Sequence, residues 1–258
     1  MSVLMMLSVI LFVLMLAIGG IKGIGVFISL WISFAIMVVM IVLISFQFNA
    51  FWVLLIGGAS LLTVTVLSAS ADERTTAIAL IASLIVMFIL LAVILPTEQI
   101  TIAQGFSEEN SEDLEGLSLA INIDFGTLGI VAALLATLGA IAEASVAIAT
   151  GIGELLNSKP SLKNKELINV GQILGKQIIG TAVNTVLFGF LADFLSLAVL
   201  FSKLKYSFVE VINSKLFTSS MLSLLYALLG VIITLPITIG IFLLYQKHQK
   251  VDYNREEL

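Results

Sequence analysis

Apolar residues run through this chain in blocks of roughly twenty, the length an α-helix needs to cross a bilayer, with short polar, glycine-containing or proline-containing breaks between them. Seven blocks qualify as spans: Val3 to Ile18, Gly25 to Phe46, Phe51 to Leu67, Thr76 to Leu95, Phe125 to Ala149, Ile178 to Phe201 and Phe217 to Tyr245. The pattern therefore predicts an all-α polytopic membrane bundle of about seven helices. Pro96 and Pro160 fall in connections, whereas Pro236 falls inside the last span, where a missing N–H kinks a helix. The first block has no Lys or Arg ahead of it and no small-residue cleavage pattern behind it, so it reads as a retained helix and not a signal peptide.

Two connections carry patterns of their own. Between Pro96 and Asp124, Ile100 to Ala103 and Leu117 to Asp124 alternate with the two-residue period of half-buried strands, which predicts a small external hairpin. The acids from Ser107 to Asp113 between them lack the spacing and central glycine of a calcium loop, and read as a solvated turn. From Lys203 to Lys215, Leu204, Phe208, Val211, Ile212 and Lys215 recur at helical spacing, predicting either a segment that lies flat on the membrane surface or a different topology after the sixth span. The chain thus divides into an N-terminal four-helix segment (1–95), an acidic loop (96–124), a C-terminal membrane region (125–245) and a polar tail (246–258).

Composition agrees with the pattern: 60% of residues are hydrophobic and 11% charged, against about 25% charged in soluble domains. The basic residues set an orientation, because Lys and Arg prefer cytoplasmic loops. With the N-terminus outside and the C-terminus cytoplasmic, Lys22, Arg74, Lys159, Lys163, Lys165, Lys176, Lys247, Lys250 and Arg255 are cytoplasmic, and Lys203, Lys205 and Lys215 are not. The chain has no cysteine and one histidine, His248, which excludes disulfides, thiol catalysis, iron–sulfur clusters and multi-histidine metal or haem sites. No cofactor motif is present.

A carboxylate at mid-membrane costs about 2.5–3.5 kcal/mol on insertion scales and normally faces protein or water. Glu143 sits in the fifth span beside two rows spaced by four: Ala132, Ala136, Ala140, Ala144, and Gly139, Glu143, Ala147, Gly151. Small residues so spaced admit a neighbouring helix, so Glu143 is expected in a tight helix contact. The sixth span carries Gln177, Thr181, Thr185, Gly189 and Asp193 in one row, with Lys176, Gly180 and Asn184 beside it. At 1.5 Å per residue, Glu143 and Asn184 lie roughly 27 and 25 Å below the outer ends of their spans, at matching depth. Asp193 is only about 12 Å below. That separation and the sequence Gly189-Phe190-Leu191-Ala192-Asp193, which lacks Gly-x-Gly-Asp, argue against a paired-carboxylate intramembrane protease. No nucleophile elbow, phosphate loop or zinc-protease helix is present either, so the reading is non-enzymatic. Glu143, with Asn184 or Thr181 as hydrogen-bond partner, is either a structural lock or part of a translocation path.

Asn122-Ile-Asp-Phe125, Leu138-Gly-Ala-Ile-Ala-Glu143-Ala-Ser, Gly171-Gln-Ile-Leu-Gly175-Lys-Gln-Ile-Ile-Gly180-Thr-Ala-Val-Asn184-Thr and Thr234-Leu-Pro236-Ile-Thr238 resemble, in order, motifs of the YibE/F family of bacterial multi-pass membrane proteins. The likeness spans the C-terminal half and is closer to YibF-type members. The family's usual aspartate is Glu143 here, and its Gly-Arg-Asp-Ile is Gly175-Lys176-Gln177-Ile178, which loses an acid. The resemblance implies a bacterial cell-membrane protein working beside a YibE-like partner. It leaves two functions open: subunit of a permease or exporter of unknown substrate, with Glu143, Thr181, Asn184 and Thr185 on the path, or non-transporting scaffold or envelope-stress factor. A water-accessible route to Glu143 favours the first, a dry packed bundle the second.

Overall fold

The computed structural model describes residues 3–69, 72–101, 103, 125–159 and 164–256. Its helices are α1 (Val3–Ser45), α2 (Ala50–Ala69), α3 (Glu73–Thr101), α4 (Phe125–Ser158), α5 (Asn164–Lys203), α6 (Phe208–Asn213) and α7 (Lys215–Glu256). All except α6 are long and apolar enough to cross a membrane. Helix α1 is broken at Gly20, whose φ of 55° and ψ of −136° are open to glycine and strained for other residues. Its two arms fold back on each other: the rings of Phe12 and Phe27 lie 5.0 Å apart, where a straight helix would separate those residues by about 22 Å. Seven apolar arms result, as the hydrophobic pattern predicts.

Polar residues in the breaks start several helices by accepting orphan N–H groups. The Asn49 side chain accepts from the Phe51 N–H at 3.0 Å, Asp72 from Thr75 at 3.3 Å, and Ser214 from Phe217 at 3.3 Å. Ser207 and Glu210 form a capping box on α6. Helix α6 lies within the segment expected to be helical between Lys203 and Lys215. The Glu210 carboxyl is held below its ordinary range by the backbone and hydroxyl donors of Ser207, so this cap is intact at neutral pH and is lost as pH falls through that lowered value.

Three boundaries differ from the sequence reading. Helix α3 continues through Pro96 to Thr101, so Pro96 is inside a helix, and Ile100 and Thr101 are helical instead of opening a strand. Apart from Ala103, which is buried and in no regular element, the remainder of the expected hairpin and the acidic turn lie outside the described residues, as does Pro160. Helices α4 and α5 extend well past the apolar runs into what reads as a polar connection, and α7 runs on through the tail to Glu256. Apolar run length marks the bilayer crossing, but a helix outside the bilayer continues as long as its neighbours or propensity support it.

Helix α4 is central, packed against α2, α3, α5 and α7, while α1 packs on α2, and α5 lies at the edge on α4 and α7. Close approach depends on missing side chains. A methyl on Gly230 of α7 would lie 2.9 Å from Leu90 Cδ1 and 3.0 Å from Ile141 Cγ1, and one on Gly171 of α5 would lie 2.8 Å from Ile239 Cδ1. Ala140, Ala144, Ala182, Ala227 and Val231 form a second small cluster where α4, α5 and α7 meet. Toward the outside, apolar side chains of α1 such as Val3 and Ile21, exposed by 71% and 88%, suit contact with lipid tails.

Overpacking a tight contact costs about 1–3 kcal/mol. Gly230→Leu is therefore expected to lower the Tm of the purified chain, whereas Gly180→Ala, where an added methyl meets nothing within 4 Å, leaves it unchanged or raised. Equal melting of the two variants would contradict this packing.

Candidate functional site at mid-membrane

Helix α4 has one face on which no described helix packs, although Gly139 shares a cavity with Ser33, Phe34 and Met37 of α1. Ala144 packs with Ala182 of α5, and Gly151 faces Leu174 of α5, which fixes one flank. Leu134 and Leu138 meet Gly58 of α2, which fixes the other. Between the flanks, Ala132, Ala136, Gly139 and Glu143 are exposed, and at 3.6 residues per turn they form a single stripe. Glu143 therefore points outward, toward the side between α2 and α5, and not into a tight contact within the chain. Its depth follows from Gly153, which lies against Thr75 at the start of α3. Ten residues on the same helix put Glu143 about 15 Å inside that end, near the middle of a hydrocarbon core of about 30 Å.

Helix α5 brings its polar row to the same level, since Ala182 packs with Ala140 and Ala144. Gln177, Thr181, Asn184 and Thr185 are all exposed, and Leu174, on the flank toward α4, places Thr181 and Thr185 on that side of the helix as well. The depth match is as expected, but the hydrogen bond to Glu143 is not formed. Thr181 donates instead to the Ile178 carbonyl at 2.9 Å, and Thr185 to the Thr181 carbonyl at 3.1 Å. Lys176 is exposed on the opposite side of α5 and nearer its N-terminal end. Asp193 is exposed, about 13 Å from Asn184 along α5 toward its C-terminal end, with Phe190 and Phe194 stacked beside it at 5.8 Å. Behind Glu143 the bundle is closed: Ile141, Ala142, Ala144 and Ser145 are buried.

A family model described as YibE/F-like protein matches residues 7–248. The chain belongs to the YibE/F-like family. A search of curated proteins and one of solved structures each returned no match. Membership extends over nearly the whole length, including the α1 hairpin and α2, where the motifs read above lie only in the second half. In this YibE/F-like chain the motif around Glu143 thus supplies both the small residues that seat α4 against α5 and the carboxylate that they leave outside.

A buried acid near the end of a membrane-spanning helix of the YibE/F-like bundle was missed by the sequence reading. Glu98 on α3 is 3% exposed and accepts a hydrogen bond from the Tyr226 hydroxyl of α7 at 3.1 Å. Its position two residues beyond Pro96 suggests a loop. The available signal was Tyr226, a lone hydroxyl within Leu224-Leu225-Tyr226-Ala227, since a buried tyrosine needs a partner. At the other end of the same helix pair, Arg74 of α3 sits over the Tyr245 ring of α7 at 4.7 Å. The two contacts pin α3 to α7 near both membrane surfaces.

Tyr226→Phe removes the donor and leaves the buried Glu98 carboxyl with less compensation, at an expected cost of about 1–3 kcal/mol. Its Tm should fall, and combining it with Glu98→Leu should restore much of the loss. An unchanged Tm for Tyr226→Phe would contradict a stabilising role for this pair.

Proposed function

We propose that this chain is a non-enzymatic subunit of a heteromeric complex in the bacterial plasma membrane, and that a related YibE-like chain covers the open face of α4 and α5. The complex acts as a permease or exporter whose path runs between the two chains, past Glu143, Thr181, Asn184 and Thr185. One observation carries the reading: a carboxylate at mid-bilayer depth stands on the outside of its own chain. Exposed to lipid it would cost about 2.5–3.5 kcal/mol, and a protein or aqueous neighbour removes that cost. A second reading, a non-transporting scaffold or envelope-stress factor, is favoured by the closed packing behind Glu143, which offers no route through this chain itself. The two differ in whether water or only protein meets Glu143 at the contact.

Ala132→Leu with Ala136→Leu thickens the open face without touching the packed side of α4, and should reduce copurification with the YibE-like chain. In the purified complex, native mass spectrometry is expected to find a bound small molecule that Glu143→Gln loses while the two chains remain associated. A complex that never carries a small molecule, and in which Glu143→Gln changes nothing but Glu143→Leu lowers stability, supports the scaffold. A chain that stays monomeric beside its partner ends both assembly readings.

The orientation proposed here puts the N-terminus outside and the C-terminus in the cytoplasm. Because the chain has no cysteine, Gln47→Cys and Lys159→Cys report it directly. An impermeant thiol reagent applied to intact cells should label the first and not the second, and the reverse result would invert the topology.

A further inference from the structure

The junction between α5 and α7 presents a combination that neither the packing nor the proposed path uses. Phe208, Val209 and Ile212 of α6 are exposed by 78%, 66% and 43%, and at about 100° per residue they share one side of the helix. Glu210 lies opposite, engaged by the Ser207 N–H at 2.6 Å and hydroxyl at 2.7 Å. It is the sole acid between Asp193 and Asp252. Lys203, Lys205 and Lys215, all exposed, flank this short helix in the chain.

Lys205 occupies a place that the backbone reserves for glycine. The Lys205 N–H donates to the Ser202 carbonyl at 3.2 Å, and the Tyr206 N–H to the Phe201 carbonyl at 3.0 Å, the paired bonds of a Schellman cap. The accompanying hydrophobic contact is the Phe201–Tyr206 ring stack at 5.5 Å. Lys205 is the left-handed residue of that cap, with φ of 55°, a conformation that glycine adopts freely and a lysine does not. The ammonium is kept there against backbone preference. Attraction to the C-terminal dipole of α5 accounts for a cation at Lys203 or Lys205, but the same effect opposes Lys215, which begins α7. A common anionic neighbour accounts for all three.

We infer that this junction is an anchor for anionic phospholipid: Phe208, Val209 and Ile212 insert below the headgroups, and Lys203, Lys205 and Lys215 meet their phosphates. Both flanking helices are membrane spans, so α6 leaves and re-enters the same leaflet, and lipid is the neighbour within its reach. An apolar helix side flanked by lysine is the composition that binds such an interface. The inference is independent of the proposed transport path.

The test uses the full chain in vesicles, with Trp31→Phe, Trp52→Phe and Phe208→Trp giving a single reporter indole at the junction. Brominated phosphatidylglycerol is expected to quench it more than brominated phosphatidylcholine at equal mole fraction, with blue-shifted emission. Lys203→Gln, Lys205→Gly and Lys215→Gln should each lower that preference, by up to about fivefold, and Lys205→Gly does so while favouring the cap. Equal quenching by the two lipids, or emission open to aqueous iodide and untouched by either, overturns the anchor. A preference that survives all three lysine changes overturns their role. Native mass spectrometry of the chain with its own tryptophans supplies a second readout: retained phosphatidylglycerol should be lost on the lysine changes, and retention without selectivity counts against the proposal.

Discussion

In lipid, helices gain little from hiding apolar surface from one another, because the surrounding tails are as apolar as leucine, and association rests on close van der Waals contact. The fold of this chain follows from where its helices are thin enough to allow that contact. Ala140 and Ala144 of α4 meet Ala182 of α5 and Ala227 of α7, while Gly230 and Gly171 let α7 approach α4 and α5 respectively. These contacts make α4 the central helix. They also fix its rotation, and one residue of rotation, about 100°, separates the buried Ala144 from the exposed Glu143.

Glu98 and Glu143 show two answers to the cost of polarity in a membrane-spanning bundle. Glu98 is enclosed and takes a hydrogen bond from Tyr226 on a facing helix, so its requirement is met inside the chain. Glu143 stands outside, with hydroxyls and amides of α5 at its level but bonded to their own helix or turned outward. A group satisfied internally serves the fold. One left on the surface near mid-bilayer is the reason to place a path between chains, since the bundle behind it is packed.

Non-glycine residues at left-handed positions mark two turns at helix ends. Gln47 and Lys205, with φ of 60° and 55°, end α1 and α5, each with the paired backbone bonds of the same cap, the first from Gln47 to Ile44 and Phe48 to Leu43. Aromatic residues follow in both, Phe48 and Tyr206, and in the second the ring stacks on the helix it terminates. The turns are thus held by backbone bonds, and the second also by ring contact, without help from the side chain of the strained residue.

The hydrophobic pattern by itself determined the class of fold, the seven apolar arms and their approximate limits, because run length in a bilayer is set by the thickness of the hydrocarbon. It also determined that Glu143 and Asn184 share a depth, since rise per residue is constant along a helix. Four motifs in the second half were enough for the family. Tertiary structure alone decided the direction of Glu143: α4 carries small residues on two adjacent stripes, either of which admits a neighbour, and only the matching thin places on α5 and α7 select the stripe through Ala140 and Ala144. It likewise decided that α3 runs past Pro96 and buries Glu98, because a proline reads locally as a break, whereas Tyr226, 128 residues away in sequence, supplies the hydrogen bond that makes burial tolerable.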